Sequence, residues 1–182
     1  MPRPDRPTTD PRRPVVDSLD YVWGQLIARL DGITTDELQW EPVANTWAVQ
    51  PNPDGSATAH AQDHEAGPRP VPTINWRLWH IAIGCLDGYS EGAFGETFAS
   101  VAGEAWHLEP ARVLADLDAA YRGFRERCLA RAADEWWQQL GPAFGEWHAH
   151  NLYDLVEHAQ HEVAHHGAEV ALLRDLYRER FS

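Results

Sequence analysis

The stretch HAQHEVAHHGAE, residues 158–169, places four histidines and two glutamates within twelve residues. Neutral imidazole and carboxylate are the ordinary ligands of divalent ions, and both serve as proton acceptors near neutral pH. On a helix each residue turns about 100°, so with His158 at zero, His161 lies near 300°, Glu162 near 40°, His165 near 340°, Glu169 near 20° and His166 near 80°. Five of these groups share one narrow face, with His166 at its edge. His161 and His165 form an i, i+4 pair, the spacing with which a helix holds zinc; His158 and Glu162 form a second. A solvated histidine-rich face has the same spacing, so this segment alone leaves two readings open.

A bundle builds a metal site from side chains on facing helices. The partner that stands out is His80, in WRLWHIAIG, inside an otherwise apolar helical pattern. By itself it reads equally as a hydrogen-bonded core histidine. Together with the pair on the last helix it gives a three-histidine set, His80, His161 and His165, which leaves a coordination position open. Open sites are catalytic or ligand-binding, whereas closed ones are structural. All-nitrogen ligation suits zinc, nickel or iron(II), with zinc the default.

The elements that must position these groups are helical. Leu19, Val22, Trp23, Leu26, Ile27 and Leu30 recur at three- and four-residue intervals, which predicts a first helix from Val15, capped by Asp17 or Ser18 and ended at Gly32. TTDEL predicts one capped turn. Residues 43–72 hold five prolines and two glycines, which predicts a long, mobile loop near the site mouth, with His60 and His64 as solvated loop histidines. A second helix starts at Thr73 and carries His80; Gly84 and Gly88 in it leave room for another element to approach. A third runs from Glu109 to about Leu140, and the last from about Leu152 to Tyr177. No convincing strand is present. The expectation is an all-α fold, a four-helix bundle with a long crossover loop after the first helix, preceded by a flexible tail over residues 1–14, with residues 15–182 as one domain.

Composition narrows the partners. A net charge of −13 repels phosphate backbones, so nucleic acid is disfavoured. No run approaches the length of a membrane span, and the proline- and arginine-rich start lacks a signal peptide's apolar region. Cys85 and Cys128 form no disulfide framework, which fits a reducing cytoplasm, and both lie on apolar faces, poor places for a nucleophile. Nine tryptophans must be buried or line a pocket; Trp47, Trp76 and Trp79 read either as core or as the wall of an apolar pocket, and such richness is compatible with a homodimer.

LWHI and HEVAHHG, with LDGITTDELQWEP and HHGAEVALLRDLY, resemble the DinB-like (YfiT-like) superfamily of four-helix metalloproteins, in an actinobacterial-type branch, over roughly residues 15–178. The resemblance implies a divalent metal held by His80, His161 and His165 ahead of Gly167. The chain departs from the usual pattern at Ala168, where many members have glutamine, and at His166, where arginine is common. In that branch His158 and Glu162 are kept where His161 is not, so the resemblance lets either share the ligand role. It also implies a small-molecule reaction: transfer of a low-molecular-weight thiol such as mycothiol or bacillithiol to an electrophile, with Glu162 or His158 as proton acceptor or orienting group. Hydrolysis by activated water, or metal binding without turnover in a stress-related protein, are the alternatives.

Overall fold

The computed structural model describes residues 10, 12–59 and 70–181. Its first helix, α1 (Arg12–Leu30), buries Val15, Val16, Leu19, Trp23, Leu26 and Leu30 along one stripe. It starts three residues before the predicted Val15. The Asp10 carboxylate accepts from the Arg12 backbone N–H at 3.1 Å, which satisfies one of the first turn's unpaired donors, and Pro14 in that turn gives up an N–H that has no helical partner. Thr34 and Glu37 form the reciprocal capping box of the short α2 (Thr35–Gln39), as TTDEL predicts.

The segment expected as one long loop contains structure. β1 (Val49–Pro51) and β2 (Ala57–Ala59) pair antiparallel, and β3 (Ala105–Trp106) adds to β2, giving the sheet order β1-β2-β3. Strands of two or three residues are too short to show an alternating pattern, so they escaped the sequence reading. His60 and His64 lie outside the described residues. Thr73 donates its N–H to the Trp47 carbonyl at 2.8 Å, which ties the sheet to the start of the second long helix.

That helix has three parts: α3 (Ile74–Trp79), a π-helical stretch from His80 to Asp87, and α4 (Gly88–Phe94). Thr73 caps α3 by accepting from the Trp76 N–H. π-Helical turns are wide, sparse in proteins and frequent at functional sites; here the wide register begins at His80. α5 (Pro110–Ala130) ends about ten residues before the predicted Leu140. The reason is Trp136, fully buried, whose indole N–H donates to the Cys128 carbonyl at 3.0 Å. This folds the chain back over the last turn, and short 3-10 turns follow at Glu135–Trp137 and Pro142–Trp147. α6 (Leu152–Phe181) closes the bundle.

α6 packs most extensively on α1, and α5 on the π-helical stretch. The core between them is apolar, with Trp76, Leu78, Ile81, Leu117, Phe124, Val156, Val163 and Val170 wholly buried. An ion pair is buried with it. Arg174 on α6 reaches Glu37 at 2.9 Å and also donates to the Arg29 carbonyl. This pair fixes the height of α6 against α1 and α2, and thereby of everything that α6 presents to the second helix.

Candidate metal centre

The buried face of α6 explains what α6 presents. Leu155, Ala159, Val163 and Val170 centre at about 105° on the wheel that puts His158 at zero. His166, at about 80°, is therefore the histidine nearest the core, Glu162 comes next, and His161 at about 300° points the opposite way. The structure follows this geometry. The His166 side chain is 11% exposed and that of His165 is 70% exposed.

His80, Glu162 and His166 meet across the interface of α6 with the π-helical stretch, with one donor atom from each within 4.8 Å of the others. Glu162 Oε2 lies 3.0 Å from His166 Nε2 and 3.4 Å from His80 Nε2. Ligands of a tetrahedral ion at zinc–nitrogen or zinc–oxygen distances stand about 3.3 Å apart, and those of an octahedral ion about 3 Å. The observed spacings fit both, so the residues present suit a divalent ion without selecting which one. The donor set is two histidines and one carboxylate, as in open catalytic sites of zinc and non-haem iron enzymes.

Both histidines of the triad are held from behind. The His80 ring stacks on Trp76 at 5.5 Å and 6°. A Cβ on Gly84 would sit 3.1 Å from His80 Nδ1, so this glycine makes room for the ring of His80 rather than for another helix. His166 Nδ1 faces Glu169 Oε2 at 2.8 Å, and Glu169 is held in turn by Arg77 Nε at 2.7 Å. A ligand histidine whose other nitrogen donates to a carboxylate has its tautomer and orientation fixed.

The electrostatics of Glu162 and His80 suit cation binding. Hydrogen bonds from His166 and then His80 hold the Glu162 carboxyl far below the usual carboxylate range, against the opposing effect of burial. Burial lowers the pKa of His80, favouring neutral imidazole. Burial also works against charge on His166, but the hydrogen bonds of Glu162 and Glu169 outweigh it and raise its pKa. Cys85 Sγ comes within 3.5 Å of Glu162 Oε2, yet burial, then the Glu162 charge, push its pKa up. It is a thiol donor to the carboxylate rather than a thiolate.

The predicted site residues thus separate. His80 and Glu162 come together, joined by His166, which the sequence reading placed only at the edge of the face. His161 is exposed and belongs to neither cluster of candidate ligands among the described residues. His165 is in a second cluster with His166 and Glu169, but there Glu169 is already paired with the Arg77 cation. His158 is exposed, 3.8 Å from Glu162 Oε1. The position of His166 relative to the apolar arc, rather than its spacing from the other histidines, was the available signal. Another buried histidine, His107, lies elsewhere, 2.8 Å from Asp116, where Ser100 also donates to Asp116.

The triad opens into a cleft of about 1270 Å³ whose wall includes Trp47, Pro72, Tyr89, Trp147, His158 and His161. Trp47 stacks on Trp76 at 4.8 Å, while Trp76 and Trp79 are buried and belong to the core. Pro70, Val71 and Pro72, the end of the predicted loop, line the cleft. No described helix is long and apolar enough to cross a membrane. A family model for the DinB superfamily matches residues 18–170. No curated protein and no solved structure gave a match.

Proposed function

Because the chain belongs to the DinB superfamily and its His and Glu ligands fit a metal-binding helical protein, we propose that it is a metal-dependent transferase that joins a low-molecular-weight thiol to a small electrophile. The observation that carries this reading is the two-histidine, one-carboxylate triad opening into a cleft of about 1270 Å³. Sites for one small ligand usually measure about 300–1,000 Å³, so this cleft has room for two reactants. When bound, a divalent ion at His80, Glu162 and His166 lowers the pKa of a thiol that reaches it and supplies thiolate near neutral pH.

The chain's own residues do the rest. His158 lines the cleft beside Glu162 and accepts the thiol proton. The sulfur lone pair then forms a bond to the electrophilic carbon while the leaving group departs as an anion with its bonding pair, or an epoxide carbon–oxygen bond opens and the alkoxide takes the proton back from His158. Trp47 and Tyr89 give the cleft apolar wall, and Cys85, kept as a thiol, does not compete as a nucleophile.

The carboxylate in the donor set supports a second reading, hydrolysis by activated water, since the same ligand types serve zinc hydrolases. One experiment separates them. Metal-loaded protein and the His166→Ala variant are assayed with mycothiol, bacillithiol, cysteine or glutathione against an aryl halide or an epoxide. Thiol-dependent turnover in the native protein alone supports the transferase. Ester or amide hydrolysis without thiol supports the second reading. Equal rates in both proteins, or none above buffer, reject both and leave metal binding without turnover.

A further inference from the structure

A second cavity of about 460 Å³ adjoins the cleft and shares Tyr89, Trp147, His158 and His161 with it. Its remaining apolar wall is Leu140, Phe144 and Leu155. From this arrangement we infer that the smaller cavity is the subsite for the electrophile, taking a flat, uncharged aromatic group stacked on Trp147, while the reactive carbon lies in the cleft.

Trp147 carries the argument. It is 55% exposed, an unusual state for the largest apolar side chain, and it forms part of the boundary between the two cavities. It is also held in place. Its indole lies parallel to the His158 ring, 6.2 Å away at 18°, and His150 flanks it at 4.8 Å. The backbone is shaped by two glycines: Gly141 at φ 83° and Gly145 at φ 55° take positive-φ conformations disfavoured for other residues. They set the 3-10 turn Pro142–Trp147 so that Phe144 is half-buried in the cavity wall and Trp147 stands at its edge. An exposed aromatic face fixed at a cavity boundary is a stacking platform.

The neighbours define the ligand's charge. Asp154 and Glu157 line the cavity, and the chain carries −13 overall, so an anionic group is repelled. Asp154 is part-exposed and Glu157 exposed, so solvent screens their attraction for a cation. A neutral ring fits, and the volume suits one or two fused rings. The role as electrophile subsite rests on the transferase reading; the binding of an aromatic group does not.

The test is therefore made first on metal-free protein without thiol. Saturation-transfer NMR with 2-naphthalenemethanol, a neutral two-ring probe, is expected to show transfer to the ring protons. Trp147→Ala, at an exposed position, and Leu140→Trp, which fills the cavity from its other side, should each weaken binding by about three- to tenfold, the worth of one aromatic contact. No binding by native protein, or native-like binding by both variants, overturns the subsite. In the thiol assay, Trp147→Ala should raise KM for a benzyl halide and leave that for a methyl halide unchanged. Equal changes for the two halides overturn the assignment to the electrophile. Aromatic binding without any turnover instead removes the transferase reading and leaves the aromatic site standing.

Discussion

Glu169 is not one of the three proposed ligands, yet its removal is expected to weaken metal binding. Its Oε2 faces His166 Nδ1 at 2.8 Å and forms an ion pair with Arg77, whose Nε lies 2.7 Å away. In Glu169→Ala the imidazole loses the acceptor that keeps its proton on Nδ1, so Nε2 is no longer reserved for the ion. The Arg77 guanidinium, 10% exposed, loses this carboxylate partner beside the same ring. Loss of such an outer carboxylate lowers metal affinity about 10- to 100-fold, or about 1.4–2.7 kcal/mol. Glu169→Gln keeps an oxygen that accepts from Nδ1 but loses the charge facing Arg77, so it should fall between native protein and Glu169→Ala. Zinc or cobalt(II) affinity is measured by competition with a chromophoric chelator, with thermal unfolding of the metal-free proteins as the fold control. The cobalt(II) visible spectrum, which reports ligand geometry, should change in Glu169→Ala and be restored in Glu169→Gln. Native affinity and an unaltered spectrum in Glu169→Ala would refute the positioning role.

Two further outcomes test the site and the scaffold. By elemental analysis, His80→Ala, Glu162→Ala and His166→Ala should each lose the ion, while His161→Ala and His165→Ala retain it; the reverse pattern would return the ligand role to the exposed pair. Glu37→Ala should destabilise by about 3–5 kcal/mol in urea unfolding, because it leaves Arg174 charged and buried. Burial alone would raise the pKa of Glu37, but the hydrogen bonds from Arg174 and Thr34 lower it below its ordinary value. A depressed folded pKa means that this stabilisation is fully present above the unfolded-state value, about 4.3, and is lost as pH falls through the folded value. The native protein should therefore lose stability below about pH 4 more steeply than Glu37→Ala, and parallel pH profiles would contradict the linkage.

Helix content, the order of the four long helices and the region of the site follow from the sequence itself. Apolar residues at three- and four-residue spacing marked α1, α5 and α6, because one-sided burial of a helix leaves that period in the chain. The density of histidines on α6 and the isolated His80 pointed to the two elements that meet. The family resemblance through LWHI and HEVAHHG agrees with the family match over residues 18–170. Which histidines on α6 meet His80 was a different matter. Spacing gives angles between side chains on one helix but not the rotation of that helix against its neighbours. Packing on α1, with Arg174 anchored to Glu37, sets that rotation and brings His166 and Glu162 inward, leaving His161 and His165 outward. The π-helical register at His80 and the early end of α5 under Trp136 were decided the same way. Each depends on a contact between residues that local periodicity does not encode, and the smaller cavity beside Trp147 exists only once those contacts have formed.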